Sequence, residues 1–163
     1  MRTNGLTQTN NNTKVSVSVN IDGSGKSKIS TDCSFLNHLL HVFSLYSKCD
    51  IYLNCDCSKK CGYQHQIDDI ASALGSAVKA SLGDRRGIIR FADSTVPMDD
   101  ALVLCAIDIS GRDYLSFDVD FPSEKIEDFD TELIRSFFSS FVQQSGSACT
   151  GMPSPICRRI CST

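Results

Sequence analysis

The chain has 163 residues, 41% of them hydrophobic and 21% charged, with a formal net charge of −3. A chain of this length buries roughly two thirds of its unfolded surface, so folding requires neither a disulfide nor a metal. The balance leans acidic without a basic stripe, which excludes a typical nucleic-acid partner, and no apolar run approaches the ~18 residues of a membrane span.

Residues 1–14 are Asn/Thr-rich, aperiodic and without the apolar stretch of a secretory signal. They read as a flexible tail, and the nine cysteines read as reduced thiols of a cytoplasmic chain. From there Val15, Val17, Val19 and Ile21 alternate with Ser16, Ser18 and Asn20, which predicts a half-buried strand. Asp22-Gly23-Ser24-Gly25 predicts a hairpin turn, with the return strand over residues 28–31. Helical spacing follows over residues 34–47, with Ser34 or Asp32 as the cap. Ile51, Leu53 and Cys55 alternate as a second short strand. Ile67, Ile70, Ala71, Leu74, Val78 and Leu82 then form the stripe of a second helix, closed by Gly83. Residues 84–100 read as a charged connector. Residues 101–110 are almost continuously apolar and predict a central strand, and residues 114–121 alternate as another. Asp130 is the expected cap of a third helix, whose apolar face is Leu133, Ile134, Phe137, Phe138, Phe141 and Val142. Beyond Gly146 the periodicity is lost, and residues 147–163 read as a divergent tail.

Residues 21–26 (IDGSGK) resemble residues 107–112 (IDISGR), each between two strands and upstream of a helix. Two tandem strand–strand–helix units are therefore expected, over residues 15–86 and 87–146. The second shows no counterpart to the first's third strand and second helix. The fold class is α/β of the α+β type: mixed sheets with helices on one face, the second half incomplete.

Five features carry candidate chemistry. Gly23-Ser24-Gly25-Lys26-Ser27 looks like the end of a phosphate loop, but Asn20 stands where that loop needs its first Gly, so a turn is favoured. Cys55, Cys57, Cys61 and His65 offer three thiolates and an imidazole to zinc, without a paired C-x2-C knuckle. Gln64, His65 and Asp68 share one polar arc of the second helix, where a His and a carboxylate three residues apart can grip one divalent ion. His38 sits on the mostly apolar first helix. Arg90 and Arg112 flank predicted strands, and a guanidinium fork there suits a phosphate.

Several segments form one ordered series. They are Asn20-Ile21-Asp22-Gly23-Ser24-Gly25, Thr31-x3-Phe35-Leu36-Asn37-His38-Leu39-Leu40 and His65-Gln66-Ile67-Asp68-Asp69-Ile70. Ala73-Leu74-Gly75 and Leu82-Gly83-Asp84-Arg85-Arg86-Gly87-Ile88 follow, then Arg90-Phe91 and Pro97-Met98-Asp99-Asp100-Ala101. Asp108-Ile109-Ser110-Gly111-Arg112-x-Tyr114 completes the series. Together these segments resemble the imidazoleglycerol-phosphate dehydratase family, in order from about residue 15 to residue 146. The resemblance implies a hydro-lyase of histidine biosynthesis that converts imidazole glycerol phosphate to imidazole acetol phosphate and water. It implies tandem half-domains, a hollow homo-oligomeric shell and manganese bound where subunits meet. By matching position, His38, Gln64, His65 and Asp68 are the implied metal ligands, His65 and Asp68 the catalytic pair, and Arg90 and Arg112 the phosphate contacts.

The chain also departs from the family pattern. Gln64 replaces a His, Asp68 replaces a Glu one methylene longer, and Asn12 replaces a Glu. Cys57-Ser58 and Gly62-Tyr63 replace two acidic pairs. The family's second His-His-x-x-Glu helix and its phosphate-binding Lys have no match. The alternative that follows is an impaired member acting structurally, or in hetero-assembly with a full-length paralogue.

Overall fold

The computed structural model describes residues 2–10, 12–57, 62–99, 101–126 and 129–153. In chain order its elements begin with β1 (Thr3–Thr9), β2 (Thr13–Asn20), β3 (Ser27–Ser30), α1 (Ser34–Ser47), β4 (Asp50–Cys57) and α2 (Tyr63–Leu82). They continue with β5 (Phe91–Met98), β6 (Ala101–Asp108), β7 (Tyr114–Phe117), β8 (Lys125–Ile126), β9 (Phe129–Asp130), α3 (Glu132–Ser145) and β10 (Ala148–Pro153). Two four-stranded mixed sheets, ordered β1-β2-β4-β3 and β5-β6-β10-β7, and a β8-β9 ribbon result. This is the mixed α/β architecture the sequence predicts.

Several local assignments are corrected. Residues 1–14 are not a loose tail, because Thr3–Thr9 pair antiparallel with β2, Thr3 opposite Asn20 and Thr9 opposite Lys14. A polar, Thr-rich strand suits a sheet edge, where one row of backbone groups meets water. The turn after β2 does not fold β3 back as a hairpin. β3 lies parallel to β4, Ser27 opposite Ile51, since α1 supplies the crossover that parallel strands require. The connector at residues 84–100 contains β5, paired antiparallel with β6. All of β5 is exposed, so no hydrophobic alternation marks it. The aperiodic stretch after Gly146 contains β10, which inserts between β6 and β7, while residues 154–163 lie outside the described residues.

β10 is thus the second half's counterpart of β4, the third strand that sequence periodicity leaves out. Among the described residues no counterpart of α2 occurs. The short repeat is real in three dimensions. Gly25 and Gly111, which align in it, both adopt left-handed backbone, with φ of 86° and 93°. The same corner of each sheet is also clipped by an arginine just before its first strand. Arg2 pairs with Asp22 at 2.6 Å and Arg90 with Asp108 at 2.6 Å.

The core lies between the first sheet and α2. Val15, Val17, Val19, Ile51 and Leu53 meet Ile67, Ile70, Ala73, Leu74 and Ala77, and α3 adds Leu133. Phe129 joins them, with its ring 5.0 Å from that of Phe35. α2 is therefore buried on two sides, by the sheet and by α3, and its buried set is wider than one stripe. The caps differ from expectation as well. Cys33, not Ser34 or Asp32, caps α1, its Sγ accepting the Leu36 N–H at 3.4 Å. Asp130 is held in the ribbon by Lys125 at 3.1 Å, so Thr131 occupies the cap position of α3. The Thr131 hydroxyl donates instead to the Ser123 and Glu124 carbonyls, at 3.0 and 3.1 Å.

Candidate functional site

The glycine-rich turn after β2 does cradle an anion, and the anion is the protein's own. The Asp50 carboxylate accepts the backbone N–H groups of Ser24 at 2.8 Å and Lys26 at 2.9 Å, and the Asn20 amide at 3.1 Å. A Cβ on Gly23 would lie 2.5 Å from Asp50 atoms, so the side chain fills the concavity and leaves no room for phosphate. Those N–H donors hold the Asp50 carboxyl at about 2, below its ordinary 3.8, against a smaller desolvation effect. Because the folded value is lowered, the contribution to stability is complete above the ordinary value and is lost as pH falls towards the folded one. Thermal melts are expected to show Asp50→Asn less stable than wild type above about pH 5. The gap should narrow between about pH 4 and pH 2, and a gap that widens there would contradict the assignment.

The residues expected to bind metal occupy two helices. His38 is exposed on α1, and Gln64 and His65 are exposed in the first turn of α2. Asp68 follows one turn later, half-buried, where its Oδ1 accepts the hydroxyls of Ser136 at 2.8 Å and Ser140 at 3.2 Å. That carboxylate therefore faces α3, while Gln64 and His65 face solvent. The neighbouring Asp69 accepts from Asn10 and Thr13, tying α2 to the β1–β2 connection. His41 contacts Ser27 Oγ through Nδ1 at 2.7 Å. Among the described residues no three His, Cys, Asp or Glu side chains converge. The described residues of one chain therefore do not present a closed metal centre of that kind.

The cysteine reading separates in the same way. Cys55 is buried in the first sheet, and burial pushes its thiol up to about 11, so it stays protonated. His65 lies at the surface, and Cys61 is outside the described residues.

Arg90 and Arg112 are both exposed at the same end of the second sheet, where Phe91 lies opposite Asp108. The Arg90 guanidinium grips Asp108 through Nε at 2.6 Å and Nη2 at 3.0 Å, and stands 4.7 Å over the Phe91 ring. This pairing holds the Asp108 carboxyl below its usual range. A groove of about 1050 Å³ opens beside Gln64, lined by Asp118, Asp120, Glu132 and Arg135 among others. Its negative wall disfavours a phosphate.

Sequence reasoning gave no role to three structurally engaged residues, although Asp69 and Arg85 lie in quoted segments. Asp50 and Asp69 bind loops distant in sequence, and no spacing rule connects them to those partners. Arg85, with φ of 59°, lays its guanidinium against Gly111 and Gly146, where an added Cβ would lie 2.6 and 3.2 Å from it. The signal available for it was the Asp84-Arg85-Arg86 charge run after the helix stop.

These elements have close counterparts. The family model described as imidazoleglycerol-phosphate dehydratase matches residues 31–151, a span that includes His38, Gln64, His65, Asp68, Arg90 and Arg112. The imidazoleglycerol-phosphate dehydratase of Clostridium botulinum is 42% identical over 133 residues, covering 82% of this chain and 68% of its relative. That of Methylorubrum populi is 43% identical over 146 residues, covering 90% and 75%. The crystal structure of the Staphylococcus aureus imidazoleglycerol-phosphate dehydratase superposes with a TM-score of 0.81 at 28% identity, over 93% of this chain and 83% of that one. With the motifs, the paired sheets and the matched span in agreement, the chain belongs to the imidazoleglycerol-phosphate dehydratase family.

Proposed function

We propose that the chain dehydrates imidazole glycerol phosphate at sites completed between copies, in a cytoplasmic homo-oligomer of shell type. The supporting observation is the exposure of His38 and His65 on two helices, with no three ligand-type side chains converging among the described residues of one chain. Exposed imidazoles are donors awaiting a second surface. His38, Gln64, His65 and Asp68 would contribute to holding a divalent ion such as manganese, which when bound supplies Lewis-acid stabilisation to the imidazole ring. Gln64 is the weakest of these donors. Arg112, with Arg90 steadied by Asp108 and Phe91, would hold the substrate phosphate away from the reacting carbon and orient it. His65 and Asp68 stand one helical turn apart, and Asp68 would have to turn from the Ser136 and Ser140 hydroxyls to face the same substrate as His65.

The test is turnover of imidazole glycerol phosphate by the purified chain with and without manganese, alongside its size in solution. Turnover that requires manganese and a multi-subunit species is the expected result. Turnover that appears only after mixing with a full-length relative would place the site in a hetero-assembly. No turnover in either preparation would overturn the proposal and favour an impaired, structural member.

A further inference from the structure

Two thiols meet on the second sheet. Cys105 Sγ on β6 and Cys149 Sγ on β10 are 3.8 Å apart. The strands run antiparallel, with Cys105 opposite Gly151 and Cys149 opposite Ile107. The two cysteines therefore share a face but sit two residues out of register. Diagonal partners of this kind have Cα atoms about 7–8 Å apart, at or beyond the roughly 7 Å a disulfide spans. The pair is set as a hydrogen bond between sulfurs and not as a bridge.

The surroundings decide which sulfur carries charge. Cys149 is 9% exposed, whereas Cys105 is open to solvent. Water stabilises a thiolate at Cys105, and the buried Cys149 keeps its proton and donates it. Access is good, because Val103 and its β5 partner Val96 on the same face are 40% and 55% exposed. α3 packs further along, at β7, where the Phe117 and Phe138 rings are 5.9 Å apart.

We propose that Cys105 is a thiol-modification site that reacts with low-molecular-weight disulfides of the glutathione type, and that Cys149 is its positioning residue, donating S–H to the thiolate. In the reaction the Cys105 thiolate attacks one sulfur of the disulfide. A new sulfur–sulfur bond forms as the old one breaks, and the departing thiolate leaves with the electron pair and takes a proton from solvent. Cys105 is oxidised, the departing half is reduced, and the disulfide itself is the oxidant. The same hydrogen bond brings the Cys105 thiol down to about 7, while it and burial raise Cys149.

Oxidised glutathione added to the full chain tests this, with the products mapped by mass spectrometry after trypsin. Cleavage at Arg90 and Arg112 releases residues 91–112, in which Cys105 is the one cysteine. The mixed disulfide is expected on that peptide about 10²-fold faster than on Cys55, with a rate half-maximal near pH 7. Cys149→Ala should move the half-point towards the ordinary cysteine value of 9.0, and Cys149→Ser, which keeps a donor, should restore much of the shift. A wild-type half-point near 9, faster reaction at another cysteine, or an internal Cys105–Cys149 disulfide as the main product would overturn the proposal. The wild-type profile alone decides it if a variant fails to fold.

Discussion

Gly75→Ala is expected to cost about 2–3 kcal/mol of stability, although helix propensity alone favours Ala by about 1 kcal/mol. Gly75 lies mid-way along α2, facing α3. A Cβ there would stand 2.5 Å from the Phe141 carbonyl oxygen and 3.1 Å from Ser145 N. Both contacts are backbone and cannot swing aside, so the helices must separate. Separation loosens the packing of Leu133 and Phe129 against the first-half core, which links the two halves. Urea titration should show the midpoint falling with an unchanged slope. A variant as stable as wild type would mean that the helices do not approach this closely.

His65→Ala is expected to reduce turnover of the active assembly by about 10²–10³-fold while leaving stability within about 0.5 kcal/mol. The imidazole is exposed in the first turn of α2, and Ala is the better helix former. The loss should therefore be chemical, visible as weaker manganese dependence and lower turnover at the same assembly size. Unchanged turnover would remove His65 from the site. Asp68→Asn makes a useful contrast, since Asp68 also receives the Ser136 and Ser140 hydroxyls and its loss should disturb the α2–α3 seam as well.

What could be read in advance follows from where burial is one-sided. β2 and α1 have one buried face each, so their alternation and helical spacing predict Thr13–Asn20 and Ser34–Ser47 closely. β1 and β5 stayed hidden because neither buries a regular apolar row. β10 contains Gly151 and Pro153 and becomes a strand because β6 and β7 flank it, a tertiary cause that local sequence does not carry. The motif residues were recognisable from their order along the chain. Their partners were not: the Asp50 clasp on Ser24 and Lys26 and the serine contacts of Asp68 depend on packing between distant segments.

The position of β10 has a kinetic consequence. Among the described residues β7 has one neighbour in its sheet, and that neighbour is β10, which emerges more than thirty residues later. During synthesis the first sheet and α2 can begin to close once residue 82 is available, with Phe129 and Leu133 joining their core later, whereas β7 has no strand to join. The second half therefore spends the interval with β6 unpaired along one edge, the condition that invites association with other chains. Productive folding of this protein is thus gated by the arrival of a six-residue strand, and slowing translation just before it would lengthen the aggregation-prone interval without altering the final fold.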